Sequence, residues 1–168
     1  MNGIGPEQFV REHAAELLRG AVLLTGNRER AEDLVQETLT RLLPQWQRVQ
    51  SADSPLAYVR RSLVNRFVSQ RRRRSSSDIT VWEVPDVLTG ADVADGVATR
   101  RSLWQVLGTL PARQRAAVVL RYYDDLTDPQ IATTLGCRDA TVRSLISRAL
   151  HALRATDGVA ALFEEEAR

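Results

Sequence analysis

Apolar residues in this chain return every three or four positions in two separate blocks, and between the blocks the pattern vanishes. That spacing places them on one face of a helix, which must then be buried against other helices. The clearest stripe is Ala31, Leu34, Val35, Thr38, Leu39, Leu42 and Leu43, with Glu29, Asp33, Gln36, Glu37 and Arg41 on the other faces. Leu17, Leu18, Ala21, Val22 and Leu24 close an earlier amphipathic stretch; Gly26 punctuates it and Asn27 is the N-cap of the second helix. Pro44 limits that helix. Ser54 and Pro55, a capping residue before proline at the first helical position, open a third. It turns Leu56, Val59, Leu63 and Phe67 inward, leaves Arg60, Arg61, Asn65, Arg66 and Ser69 elsewhere, and runs out into Arg71 to Arg74.

From residue 75 to about residue 98 neither helical nor strand periodicity persists, and Ser, Pro and Gly are frequent. This stretch reads as a linker. Charge divides along the same lines: residues 60–74 carry seven Arg and no acid, residues 75–99 five acids and no base, and residues 157–166 four acids. All 23 basic residues are arginine, and 21 acids bring the formal charge to only +2, so the total carries no message about nucleic acid while the segregation does. A hydrophobic content of 43% excludes wholesale disorder and fibrous designs. The expected fold is all-α: a helical bundle over 1–74, a flexible acidic linker over 75–98, a second helical domain over 99–157 and an acidic tail over 158–168.

Periodicity resumes with Leu103, Val106, Leu107 and Leu110, breaks at Pro111, and returns through Ala116, Val119 and Leu120 to Tyr123. Thr127 to Gln130 then reads as a capping box that opens a short helix containing Ile131 and Leu135. Gly136 supplies a left-handed exit. The next helix, starting near Asp139, has the inward stripe Val142, Ile146, Ala149 and Leu153. Short helix, glycine turn and longer helix make a helix-turn-helix, in which the second helix enters the major groove. Its outer face carries Arg143, Ser144, Ser147 and Arg148, donors suited to base edges and phosphates.

Two segments carry a family resemblance. The run from Ala31 to Leu39 resembles the core helix of region 2 of bacterial sigma factors. Leu110 to Arg115, Leu120 to Tyr123 and Ile131 to Ser144 resemble region 4. With the arginine-rich third helix and the linker in the right order, the chain resembles the extracytoplasmic function (ECF) group, in particular its actinobacterial sigma-E-like branch. The resemblance implies core RNA polymerase and promoter DNA as partners, an anti-sigma factor as a further one, and no cofactor, metal or catalytic group. It implies that Asp33, Gln36 and Glu37 dock on polymerase; their charge pattern alone favours an ordinary solvated helix face, and the flanking motif reverses that. It places Asn65 near a flipped base of the −10 element with Arg60, Arg61 and Arg66 along the phosphates. In region 4 it assigns the −35 element to Thr141, Arg143, Ser144, Ser147 and Arg148.

Some positions stay open. Tyr58 and Trp46 could stack on a base or pack in a core, and Arg71 to Arg74 could bind phosphates or simply solvate the helix end. Arg138, Ala140 and Leu145 depart from the family pattern; Leu145 on that edge would touch a thymine methyl or a partner protein. Cys137 reads as a small buried hydrophobe, and a lone cysteine excludes an internal disulfide. Charges interrupt every apolar stretch of the first thirty residues, so no membrane span or secretory segment is expected there and the expected location is cytoplasmic. The competing function is a dimeric helix-turn-helix regulator that binds duplex DNA without polymerase; the Asp33-to-Glu37 motif has no purpose in such a protein. A nucleic-acid enzyme finds no Walker motif and only His13 and His151 as imidazole bases. Limited proteolysis of the free protein is expected to cut first within 75–98; protection there with cleavage elsewhere would contradict the two-unit division.

Overall fold

The computed structural model describes residues 4–73 and 104–155, and every regular element among them is helical. The expected linker, Arg74 and the acidic tail lie outside the described residues. The first block holds α1 (Pro6–Thr25), α2 (Arg28–Leu42), a 3-10 turn over Leu43–Gln45, the short α3 (Trp46–Gln50) and α4 (Pro55–Arg73). The second holds α5, covering residues 104–109, then α6 (Ala112–Tyr122), α7 (Asp128–Leu135) and α8 (Asp139–Arg154).

Local signals set the boundaries. Gly26 ends α1 at φ 71° and donates its N–H to the Val22 carbonyl, a conformation open to glycine because it lacks Cβ. Asn27 caps α2, its side chain accepting from the Arg30 amide at 2.9 Å. Ser54 Oγ accepts from the Ala57 amide at 3.2 Å and so opens α4. Pro44 falls in the 3-10 turn, where α2 has already ended. Thr38, within the apolar stripe, is buried and satisfies its hydroxyl on the Leu34 carbonyl at 2.7 Å.

Phe9, Leu17, Leu24, Leu34, Trp46, Val49, Val59 and Leu63 form the core of the first block. Trp46 packs rather than stacks outward: it lies edge-on to Phe9 with ring centroids 5.3 Å apart, and its indole N–H donates to the Ile4 carbonyl at 3.0 Å. Tyr58 is half-buried against the same core.

That core does not stop at α4. It continues through Val64 and Phe67 into Ala116, Ala117, Val119, Leu120, Ile131 and Val142 of the second block. On α6 six consecutive residues, Arg115 to Leu120, are buried. A helix buried on all sides has neighbours on all sides: α7 and α8 on one flank, α1 and α4 on the other. Two smaller apolar groups, Leu107, Leu110, Val118 and Ala149, and Val106 with Leu153, finish the second block.

Arg115 is the charged member of that buried run, only 1% exposed. Its Nη1 donates to the Leu24 carbonyl at 2.7 Å, and its Nη2 to the carbonyls of Gly108 and Leu110 at 2.8 and 2.9 Å. Its guanidinium also lies 5.8 Å from the Phe67 ring centroid. Burial lowers its pKa to about 9, so it remains a cation at neutral pH. Replacing it with Met would leave the buried Leu24 and Leu110 carbonyls and the part-buried Gly108 carbonyl without this donor. Arg115→Met is expected to lower the unfolding free energy by about 3 kcal/mol or more, read as a shifted urea midpoint; a shift below about 1 kcal/mol would show that the guanidinium is dispensable.

Candidate functional site

The residues singled out by the sequence fall on three surfaces. Asp33, Gln36 and Glu37 lie one helical turn apart on α2, opposite the buried Ala31, Leu34 and Thr38, and all three are exposed. Glu37 is the structured one. Its Oε2 accepts from Arg66 Nε and from Gln70 Nε2, each at 2.8 Å, and from Arg66 Nη2. The Arg66 hydrogen bond, helped by its charge, holds the Glu37 carboxyl below the usual carboxylate range.

On α4, Arg61 and Asn65 are exposed and Arg60 and Arg66 are half-buried. Arg60 reaches away from α4 to two carboxylates: it pairs with Glu16 of α1, and its Nε lies 3.3 Å from Asp124, just past α6. The Asp124 side chain is 7% exposed, and burial pushes its carboxyl pKa up against the pull of Arg60. Nearby, Tyr123 Oη and Arg19 Nε are 3.3 Å apart, and Gly20 leaves room for the tyrosine ring. The α4 surface is therefore electrostatically connected to the α2 face and to the second block.

The helix-turn-helix forms as its signals require. The Thr127 amide donates to Gln130 Oε1 at 2.9 Å, closing the capping box. Gly136 turns the chain at φ 61°. Arg138 is the N-cap residue of α8, which starts at Asp139. Val142, Ala149 and Leu153 are buried on one side, and Thr141, Arg143, Ser144, Ser147 and Arg148 are all exposed on the other. Leu145 is half-buried against the core, so its departure from the pattern serves packing. Cys137 is likewise half-buried beside the core. Asp128 ties the motif together: it pairs with Arg121 of α6 and lies 3.8 Å from Arg143 Nη1.

Among the described residues no group of three or more His, Cys, Asp or Glu could hold a metal ion, and no helix is long and apolar enough to cross a membrane. Sequence reasoning missed Arg115, Asp124 and Glu16. The unbroken apolar run Ala116 to Leu120 signals a helix buried on every face, and Val64 and Val68 give α4 a second stripe four residues apart. Both point to packing between the blocks. The acidic partners of Arg60 are remote in sequence and left no local signal.

Comparison with known proteins agrees with this geometry. Residues 9–77 match Sigma-70 region 2, and residues 100–153 match Sigma-70 region 4. The chain is 32% identical over 148 residues to the RNA polymerase sigma-E factor of Streptomyces coelicolor, covering 88% of this chain and 83% of that one. It is 34% identical over 153 residues to the ECF RNA polymerase sigma factor SigL of Mycobacterium tuberculosis, covering 86% and 84%. The sigma factor RpoE, solved in complex with the anti-sigma factor NepR from Bartonella quintana, shares the fold with a TM-score of 0.71 at 24% identity, over 88% of this chain and 93% of that one. The fold and the paired regions define a sigma factor, the class of subunit that directs RNA polymerase to promoters. The chain belongs to the ECF group of that family, and a stand-alone dimeric regulator is not favoured.

The αL turn offers a direct check on the motif. A Cβ at Gly136 would meet nothing within 4 Å, so only backbone strain opposes a side chain there. Gly136→Ala is expected to lower stability by about 1 kcal/mol and Gly136→Asn by less, since Asn tolerates this conformation. Equal losses in chemical denaturation would show that the left-handed φ is not what sets the cost.

Proposed function

We propose that the three surfaces divide initiation between them: Asp33, Gln36 and Glu37 dock on core RNA polymerase, Arg60, Arg61, Asn65 and Arg66 engage the melted −10 element, and Thr141, Arg143, Ser144, Ser147 and Arg148 read the −35 duplex. The observation that carries this reading is the outer face of α8, where all five named residues are exposed while Val142, Ala149 and Leu153 anchor the opposite side. Such a helix can enter a major groove without disturbing its core. Region 2 function falls to residues 1–74, −35 reading to residues 99–157, and residues 75–98 connect them. The chain supplies no catalytic group of its own and works in the cytoplasm on polymerase; an anti-sigma protein is a further partner, supported by the likeness to RpoE bound to NepR.

The physical roles differ. A strand held open needs cations along its backbone, which the α4 arginines supply. Duplex reading needs donors aimed at base edges, which Arg143 and Arg148 supply. Docking needs acidic groups set against a basic partner surface, and the α2 face supplies these.

Three measurements test the division. Asp33→Ala, Gln36→Ala and Glu37→Ala together are expected to abolish core binding while leaving the helical fold intact, since all three side chains are exposed. Arg143→Ala or Arg148→Ala is expected to cost about 1–3 kcal/mol and to relax specificity at defined −35 positions. Loss of Arg61 should instead weaken opening across promoters, read by permanganate reactivity of unpaired thymines. Unchanged core affinity in the triple variant would overturn the docking assignment.

A further inference from the structure

The helix assigned to the melted strand is partly neutralised by the protein itself. Of the three arginines assigned above to the strand, Arg60 is held by Glu16 and Asp124, and Arg66 by Glu37. Gln70, one turn beyond Arg66 on α4, donates to the same Glu37 oxygen and fixes the carboxylate over the guanidinium. Arg61 is exposed and has no ion pair among the described residues. A carboxylate and a phosphate offer a guanidinium fork the same pair of acceptor oxygens, so they compete for it.

We propose that Glu37, with Glu16 and Asp124, occupies in the free protein the places that DNA phosphates take on α4, so that polymerase docking hands Arg66 to the strand. This rests on the functional division above and deepens it. Glu37 belongs to both systems at once: it is on the docking face of α2 and it is the acceptor for Arg66. A basic polymerase surface that takes Glu37 draws the carboxylate from Arg66, and the guanidinium becomes available on the strand side. Docking then precedes strand capture, and the free chain binds single-stranded DNA weakly. The lowered pKa of Glu37 agrees with an engaged, ionised carboxylate at neutral pH.

The same logic applies to Arg60, with a different release. Asp124 comes from the second block, so its hold on Arg60 ends when that block leaves α4, while Glu16 of α1 stays beside the guanidinium. Burial raises the Asp124 pKa while the charge of Arg60 pulls it down; Asp124→Asn removes the competing charge with almost no change of side-chain shape.

The test uses the full chain without polymerase and a fluorescently labelled 12-nucleotide oligo-dT, followed by anisotropy across a salt series. Glu37→Gln is expected to tighten binding about two- to fivefold, the most that release from one exposed ion pair supports, and to steepen the log-log salt slope by about 0.7. Asp124→Asn combined with Glu16→Gln should add a comparable gain. The control is Glu32→Gln, which makes the same change in net charge on the same helix but breaks a pair with Arg28; it should leave affinity unchanged. In an Arg66→Gln background the Glu37→Gln gain should disappear. Equal gains from Glu32→Gln and Glu37→Gln, or no gain from Glu37→Gln, would overturn the masking. The functional division is judged separately with polymerase: if the combined Arg60→Gln, Arg61→Gln and Arg66→Gln variant opens promoters normally, α4 is not the strand-binding helix. If that variant fails to open them and Glu37→Gln has no oligonucleotide effect, only the masking falls.

Discussion

A helix ends with carbonyls that have no intrahelical partner, and a buried guanidinium must find acceptors for its N–H groups; in this protein each need answers the other. The Leu24 carbonyl belongs to the last turn of α1, and those of Gly108 and Leu110 lie at the end of α5, and all three accept from Arg115. One cation thus completes two helix C-termini, where the backbone dipole also favours positive charge. Around it the apolar contacts of α6 with α1 and α4 exclude water, which strengthens the hydrogen bonds and raises the penalty for losing them. The join between the two blocks therefore rests on a group whose geometry tolerates little displacement.

Helix α4 lies at the centre of the resulting electrostatics. One side carries the core residues Val59, Leu63, Val64 and Phe67, and its arginines reach outward to acids on α1, on α2 and after α6. A cationic helix surrounded by carboxylates is more soluble and less sticky towards stray nucleic acid than its sequence suggests. The seven arginines of residues 60–74 look like an unguarded polyanion site when read along the chain. Folded, part of that charge is already committed.

What could be read from the sequence was local. Asn27, Gly26, Ser54, the Thr127-to-Gln130 box and Gly136 act on their own helix ends, so residue type and spacing sufficed to place them. The outward face of α8 followed from its inward stripe for the same reason. The joining of the blocks was not read because it depends on contacts between residues about ninety positions apart, such as Arg115 with Leu24. Arg115 itself sits among Arg113 and Arg121 and looks like another surface charge; only the carbonyls waiting at two helix ends make its burial tolerable. Trp46 was open because an indole suits a base stack as well as the more usual core, and the Ile4 carbonyl and the Phe9 ring hold it in the core.

The shared core also sets a ruler against the promoter reading. Elements centred 35 and 10 base pairs upstream are 25 base pairs apart, about 85 Å along B-form DNA. A compact chain of 168 residues has a radius of gyration of about 15 Å, so α8 and α4 cannot span that distance while Val64, Phe67 and Ala117 share one core. Reading both elements at once requires that the core be divided. The thirty residues between Arg73 and Trp104 have, by count alone, a maximum reach of about 100 Å. The connection is long enough for the separation, and chain length sets an upper limit on the promoter spacing that this protein can bridge.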